Sequence, residues 1–597
     1  MVSFCELMSS EEQCNEQLVM TVQRIELREF ESKIEQISPI VNDYRNNDTA
    51  NKYQTEHAWN NKLYIDYSHH IQNLSMESTM RNVELEQSAC VEKAREIWLI
   101  MEQNCKNILT RLQFVVGFFN EAQHILIDKL LGRWKHNQIM FLYGEGGPRT
   151  QSMIQTLEKL KIELYQIQTH FEQLFDYVWY THSLVSVMRE CHAGRTDVDT
   201  LANEIAFIQQ KLLLSSFVVV EQPPQVIHSN VQFEAIVRVL LTRYIASISN
   251  PLVWVVSESQ VKTQHQHHKE QEENKQQLTS FDEKWAEIRY TDTAFESQLL
   301  SLECNLKDLK LKIKRIKKKD VMDDKFALRF HCTLTIKGHP NLIDIWTTSL
   351  PVTVTTNVSQ DADGWATITW DNSFFEIGRD PFDVPESVPW SHVKMVLFTR
   401  FYYQTGHSLT EQHTNYLYKK LFKTNPSTVS TDRPVSWNEF GKAKSQDFTF
   451  FAWFHDVTKL VRLYLREEWG AGLIEGFISK DEAWEKLRNC APGTFLLRFS
   501  DSQLGAISVA SVKNDPSGFP VPDHMDPYVD SDFEQIRKSK PTRKLTIGDL
   551  LKDLNQYTVL QTVNRTKHDA FAPHYTKDEP IPRANSAPYS GKQKSMH

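Results

Sequence analysis

Arg498 lies in the run Pro492-Gly493-Thr494-Phe495-Leu496-Leu497-Arg498-Phe499-Ser500-Asp501-Ser502, which otherwise has the apolar, aromatic make-up of a strand buried on both faces. A guanidinium in such a strand is costly unless an anion meets it with hydrogen bonds. Two anions fit the pattern: an internal carboxylate, Asp501 foremost, or a group brought from outside. A phosphate ester carrying about −1.5 to −2 charges is best met by a planar fork of N–H donors, which arginine supplies. Ser500 and Ser502 follow at the strand end, where their hydroxyls can donate to phosphate oxygens. Lys480 adds a second cation at the start of a helix opened by the capping box Ser479-Lys480-Asp481-Glu482.

A second charged pattern is NLKDLKLKIKRIKKKD, where Leu309, Leu311 and Ile313 alternate with Lys310, Lys312 and Lys314 before Arg315, Lys317, Lys318 and Lys319. The alternation predicts a strand with one apolar and one basic face. Either the lysines keep a solvated edge strand from aggregating, or they meet a phosphate backbone or an import receptor. The net charge of −9 excludes a chain that is basic all over, but not a local basic face.

Other patterns fail their chemistry. Gly144-Glu145-Gly146-Gly147-Pro148 lacks a preceding strand and the Gly-Lys-Ser/Thr ending of a phosphate loop, and suits a helix hairpin instead. His265, His267 and His268 lack partners at metal-ligand spacing and sit in a polar stretch, 257–280, that reads as a solvated loop. There is no kinase HRD/DFG set, nucleophile elbow or HExxH, so an enzyme is not expected, nor a cofactor or metal. Eight cysteines without a CxxC pair fit a reducing cytoplasmic or nuclear compartment. Neither a secretory start nor an apolar window long enough to span a membrane is found, so no membrane insertion is expected.

The elements that must position these residues follow from periodicity. At 597 residues the chain is too long for one core. Leu27, Phe30, Ile34, Ile37, Val41 and Tyr44 form a heptad seam; a second runs from Val91 through Trp98, Cys105, Leu112 and Phe119 to Leu126; a third joins Leu157 to Val178 and a fourth Val198 to Leu212. Four packed helices are predicted, the second, over about 83–141, being roughly 88 Å long. From Ser215 the period changes to short β-branched runs, SSFVVVEQPP, VQFEAIVRVLL, PLVWVVSES, FALRFHCTLTIKG and SLPVTVTTNVS, the pattern of an antiparallel β domain. Trp365 to Leu465 reads as a compact helical connector. Beyond it come a helix at 479–490, strands at 494–500 and 506–512, and a helix at 545–557.

Two helices flanking a small sheet with a buried arginine describe a phosphotyrosine pocket, and GFISKDEAWEKLRNCAPGTFLLRFSDSQLGAISVA resembles the Src-homology-2 (SH2) domain of the signal transducers and activators of transcription (STAT). LLGRWKHNQIMFLYGEGGP resembles the hairpin of that family's coiled coil, SSFVVVEQPP and TTSLPVTVTTNVSQDADGWATITW the two ends of its β domain, and KHDAFAPHYTKDEPIP the close of its SH2 domain. The resemblance implies a multidomain α+β protein: an N-terminal tail (1–15), a long antiparallel four-helix coiled-coil bundle (16–214), an immunoglobulin-like β DNA-binding domain (215–365), a helical linker domain (366–468), an SH2 domain (469–576) and a C-terminal tail (577–597).

It further implies a latent cytoplasmic transcription factor. Tyrosine phosphorylation would produce a reciprocal two-fold dimer that moves to the nucleus and binds double-stranded DNA at a palindromic site. Arg498 falls at the phosphate-binding arginine, with Lys480, Ser500, Asp501 and Ser502 around it, and Asn357 at a loop asparagine that reaches the DNA groove. The partners implied are a second copy of the chain, a tyrosine kinase or phosphorylated receptor, a nuclear import receptor and co-regulators on the coiled coil.

Three departures shape the expectation. The sequence starts almost at the first long helix, without the family's N-terminal domain, which puts tandem-site cooperativity in doubt. PLVWVVSES has no lysine where the family contacts DNA, so Lys310, Lys312, Lys314, Arg315 and Lys317 are the substitutes expected. The tail ends in RANSAPYSGKQKSMH, which has no acidic or hydrophobic activation segment and makes Tyr589 the candidate phosphosite; fourteen residues beyond Tyr575, it could extend roughly 46 Å. A signalling adaptor built on the SH2 domain and coiled coil, acting without its own phosphorylated dimer, is the alternative.

Overall fold

The computed structural model describes residues 4–76, 81–142, 151–258, 286–289, 294–298, 301–313, 325–374, 382–424, 432–445, 447–533 and 546–575. The chain divides into two compact units, residues 1–400 with 432–443, and residues 401–431 with 444–597. The connector expected over 366–468 contributes to both.

The first unit begins with helices Phe4–Asn46, Thr49–Met76, Arg81–His124, Gln151–Cys191 and Thr196–Ser215. The seams dictate their packing: Phe30, Ile34, Ile37, Val41 and Tyr44 are buried, as are Leu160, Leu164, Ile167, Phe171, Leu174 and Val178, and every member from Val198 to Leu212. In the second seam Cys105, Leu112, Val115, Phe119 and Ala122 are buried while Val91 and Trp98 are exposed, so the repeat outlasts its buried portion.

Two features exceed the sequence reading. Thr49–Met76 is helical although no heptad seam marks it; Asp48, in a left-handed conformation, separates it from the preceding helix. The second seam stops at Leu126 because a π-helical turn, Ile125–Leu131, interrupts the helix there before it resumes over Gly132–Leu142. A wider turn inserts one residue, and the buried face resumes at Leu130, Leu131 and Trp134. The glycine hairpin at 144–148 and the polar stretch holding His265, His267 and His268 lie outside the described residues.

Two antiparallel sheets follow. One has the order Phe217–Glu221, Gln232–Val239, Ser301–Ile313, Ala286–Arg289, with Glu296–Gln298 also on the long strand. The other places Phe326–Ile336 between His339–Thr348 and Ile245–Ile248, with Leu252–Ser257 also on it. Val237, Val239, Cys304 and Leu306 of the first sheet and Leu328, Phe330 and Leu334 of the second share one core with the helical seams. Gln138 reinforces that junction by donating to the carbonyls of Val219 and Val220, at 3.1 and 2.9 Å.

In the second unit the sheet order is Pro520–His524, Ala506–Asn514, Thr494–Phe499, Val559–Leu560, Arg565–Thr566. Helix Lys480–Leu487 packs on it through Ala483 and Leu487 against Leu496, Ala510 and Val512. The helix expected over 545–557 is shorter, Ile547–Leu551. Lys567 caps it, its ammonium donating to the carbonyls of Leu551, Lys552 and Leu554 at 2.9, 3.1 and 2.8 Å. Among the described residues no helix is long and apolar enough to cross a membrane, and no group of His, Cys, Asp and Glu could hold a metal ion.

Candidate phosphotyrosine and nucleic-acid sites

Every residue of strand Thr494–Phe499 is buried, and Arg498 is 1% exposed. Its Nε donates to the carbonyl of Ile478 at 3.1 Å, which fixes the guanidinium plane. Gly476 enables this: its backbone bridges Arg498, with Phe499 donating to the Gly476 carbonyl at 2.9 Å. It does so at a φ of 73°, where an added Cβ would come within 2.4 Å of the Trp469 ring.

The capping box holds as read: Glu482 N donates to Ser479 Oγ at 3.1 Å and Ser479 N to Glu482 Oε2 at 2.9 Å. It places Lys480 at the helix start, exposed. Ser500 is buried, its carbonyl accepting from the Trp453 indole at 2.7 Å, while Ser502 is exposed. Burial, with the charges of Lys480 and Arg498, pulls His524 below the ordinary histidine range. That coupling brings His524, unmarked by any motif, into the field of the two cations.

Asp501 takes a different role from its neighbours. Its Oδ2 accepts from Arg498 Nη2, the internal pair that the sequence left open. Its Oδ1 accepts from the Tyr416 hydroxyl and lies 3.8 Å from Lys420 Nζ. A carboxylate cannot add attraction for a phosphate; at this position it is an anion competing for Arg498.

Tyr416, Lys419 and Lys420 were not legible as site residues. They come from helix Glu411–Phe422, and no local pattern links that helix to strand 494–499. Lys419 pairs with Glu482 at 2.9 Å, and Lys420 Nζ lies 4.2 Å from the Trp453 ring centre. With Lys423, Ser479 and Asp501 these side chains line a cavity of about 410 Å³. Burial, and next the Asp501 charge, push the Tyr416 phenol above its usual range, which keeps it a proton donor.

The basic strand alternates as expected: Leu309 and Leu311 are buried, Lys310 and Lys312 exposed. It is not an edge, however. Lys310 pairs with Gln232 on one side and Arg289 on the other, and Lys312 with Glu287. The edge-protection reading is therefore corrected at Lys310, where strands on both sides already satisfy the backbone, whereas Lys312 is paired on the Glu287 side. Lys314, Arg315 and Lys317 lie outside the described residues, as does Tyr589.

Asn357 is exposed, in extended conformation (φ −135°) just beyond strand Thr353–Thr355. Gln360 N donates to its carbonyl at 3.0 Å, and Thr356 N and Oγ1 donate to Gln360 Oε1 at 3.0 and 3.1 Å, which holds the turn. Ser229 N donates to the Thr355 carbonyl at 2.8 Å and Asn230 N to the Leu311 carbonyl at 2.9 Å. Two adjacent residues thus tie the asparagine turn to the lysine strand, bringing together features about 45 residues apart in sequence.

A two-sheet domain with an exposed asparagine turn beside lysines, and a small sheet with a buried arginine beneath a capped helix, make this a multidomain α+β protein. Comparison with known proteins agrees. Residues 221–355 match the STAT protein DNA binding domain, 377–454 the linker domain of signal transducer and activator of transcription, and 473–552 the SH2 domain. The chain belongs to the STAT family.

It is 32% identical over 485 residues to a Drosophila melanogaster "Signal transducer and transcription activator", covering 78% of this chain and 59% of that protein. An Anopheles gambiae protein with the same description is 31% identical over 471 residues, covering 74% and 61%. The chain thus spans about three fifths of the length of these relatives.

Proposed function

We propose that this chain is a sequence-specific DNA-binding transcription factor switched by tyrosine phosphorylation. Arg498 takes the phosphate of a phosphotyrosine, assisted by Lys480 and by the Ser500 and Ser502 hydroxyls. Asp501 belongs to the same loop, and its carboxylate leaves Arg498 on binding. Tyr589 supplies the phosphate to a second copy, and two reciprocal contacts reinforce one another through effective concentration. The two-fold dimer reads a palindromic site, with Asn357 at base edges and Lys310 and Lys312, continued by Lys314, Arg315 and Lys317, at phosphates.

A tyrosine kinase or phosphorylated receptor acts upstream, an import receptor carries the dimer from cytoplasm to nucleus, and co-regulators bind the helical bundle. No catalysis is assigned to the chain. The observation that carries this reading is a fully buried arginine, its guanidinium plane fixed by Ile478, at the centre of the SH2 sheet. The asparagine turn tied to the lysine strand favours DNA binding over a pure adaptor.

The test is to phosphorylate the protein with a broad tyrosine kinase, map the site, and measure mass in solution and binding to a palindromic duplex for wild type, Arg498→Ala and Tyr589→Phe. A phosphorylation-dependent dimer that binds DNA and is lost in both variants is expected. Dimerisation or DNA binding that survives Tyr589→Phe removes the tail switch and leaves a constitutive dimer or an adaptor.

A further inference from the structure

The Asp501 carboxylate sits among three donors. Arg498 Nη2 meets Oδ2, the Tyr416 hydroxyl meets Oδ1, and Lys420 Nζ lies 3.8 Å from Oδ1 and 3.5 Å from the Asp501 carbonyl oxygen. Arg498 belongs to the pocket strand; the other two come from helix Glu411–Phe422, upstream of the SH2 domain. Lys420 is held there by the Trp453 ring, whose indole in turn donates to the Ser500 carbonyl at the strand end. One small hydrogen-bonded assembly thus joins the upstream helix to the phosphate pocket.

We propose that Asp501 is the resident anion of the Arg498 pocket, and that Tyr416 and Lys420 set phosphotyrosine affinity by retaining its carboxylate when the phosphate takes Arg498. This rests on Arg498 being the phosphate ligand.

Phosphate and Asp501 both need Arg498, and a phosphate of about −1.5 to −2 charges repels a carboxylate left beside it. Releasing Arg498 removes one of the carboxylate's strong partners. Tyr416 and Lys420 are then what keeps it paired, and their contribution is larger with phosphate bound than without. Neutralising Asp501 therefore tightens binding, whereas weakening its receiving donors loosens it. Tyr416 and Lys420 are positioning residues that act through Asp501.

The experiment is a phosphorus NMR titration of the full chain with phenyl phosphate, a probe that carries ring and phosphate but no peptide. Asp501→Asn is expected to bind about five- to tenfold tighter than wild type, and Tyr416→Phe and Lys420→Gln about three- to tenfold weaker. In an Asp501→Asn background, Tyr416→Phe is expected to have no effect, a coupling that a merely structural hydroxyl would not produce. Unchanged or weaker binding by Asp501→Asn overturns the inference, as does a Tyr416→Phe effect of equal size in both backgrounds.

Tyr416→Phe removes one hydroxyl and no charge, so if Asp501→Asn does not fold, unchanged binding in Tyr416→Phe alone is decisive. An Arg498→Ala control separates the two levels. If it abolishes binding while the other variants behave as wild type, only the inference falls; if binding survives it, the pocket assignment falls as well.

Discussion

At the scale of single residues, Arg498 shows why charge alone does not make a pocket. Its Nε is committed to Ile478, and only the outer fork faces an anion. Arg498→Lys keeps the charge but loses both the fork and that internal bond. Loss of one charge-assisted hydrogen bond predicts phosphotyrosine-peptide binding weaker by about ten- to a hundredfold, read by fluorescence anisotropy. It also leaves the Ile478 carbonyl unpaired, costing about 1–3 kcal/mol in a denaturant melt. An unchanged affinity would mean that the phosphate is bound elsewhere.

At the scale of elements, helix Glu411–Phe422 carries Tyr416 and Lys420 and depends on its own cap. Thr410 Oγ1 accepts from His413 N at 3.3 Å, and Thr410 N donates to His413 Nδ1 at 3.1 Å, so the cap requires a neutral imidazole acceptor. Burial, partly opposed by a hydrogen bond with the Glu475 backbone, lowers the His413 pKa to about 4. The unfolded chain, titrating near 6.5, then binds the proton first as pH falls. Stability from this residue is complete above about pH 6.5 and is lost as pH falls toward 4, by roughly 3 kcal/mol at most. His413→Gln, which keeps an acceptor at the capping position, is expected to unfold less steeply with acid than wild type in melts between pH 7 and 4.5. Identical acid profiles would remove His413 from the account.

At the scale of the whole molecule, the two proposed sites fall in different units: the lysine strand and asparagine turn in the first, the arginine pocket in the second. Each lysine that neutralises a DNA phosphate contributes about 0.9 to the log–log salt slope. Replacing Lys310 and Lys312 with glutamine is expected to lower that slope by about 1.8 per protomer, with weaker binding across DNA sequences alike. Asn357→Ala is expected to relax base preference and leave the slope in place. A slope unchanged by the lysine substitutions would assign the basic face to another partner.

The sequence by itself determined whatever rests on near neighbours along the chain. Heptad seams became packed helices because apolar residues three and four apart share a face. Leu309 and Leu311 went inward and Lys310 and Lys312 outward because a strand alternates its side chains. The Ser479–Glu482 cap closed within four residues, and a lone arginine in an apolar strand announced an anion. What only the tertiary structure decided was which distant groups meet. It made Ser301–Ile313 an interior strand, spliced a π turn into the second seam at Leu126, and joined the asparagine turn to the lysines through Ser229 and Asn230. It also brought Tyr416 and Lys420, some 80 residues upstream, against the loop after Arg498. Such meetings depend on the packing of whole elements, and a buried charge fixes only that it needs a partner, not which part of the chain supplies one.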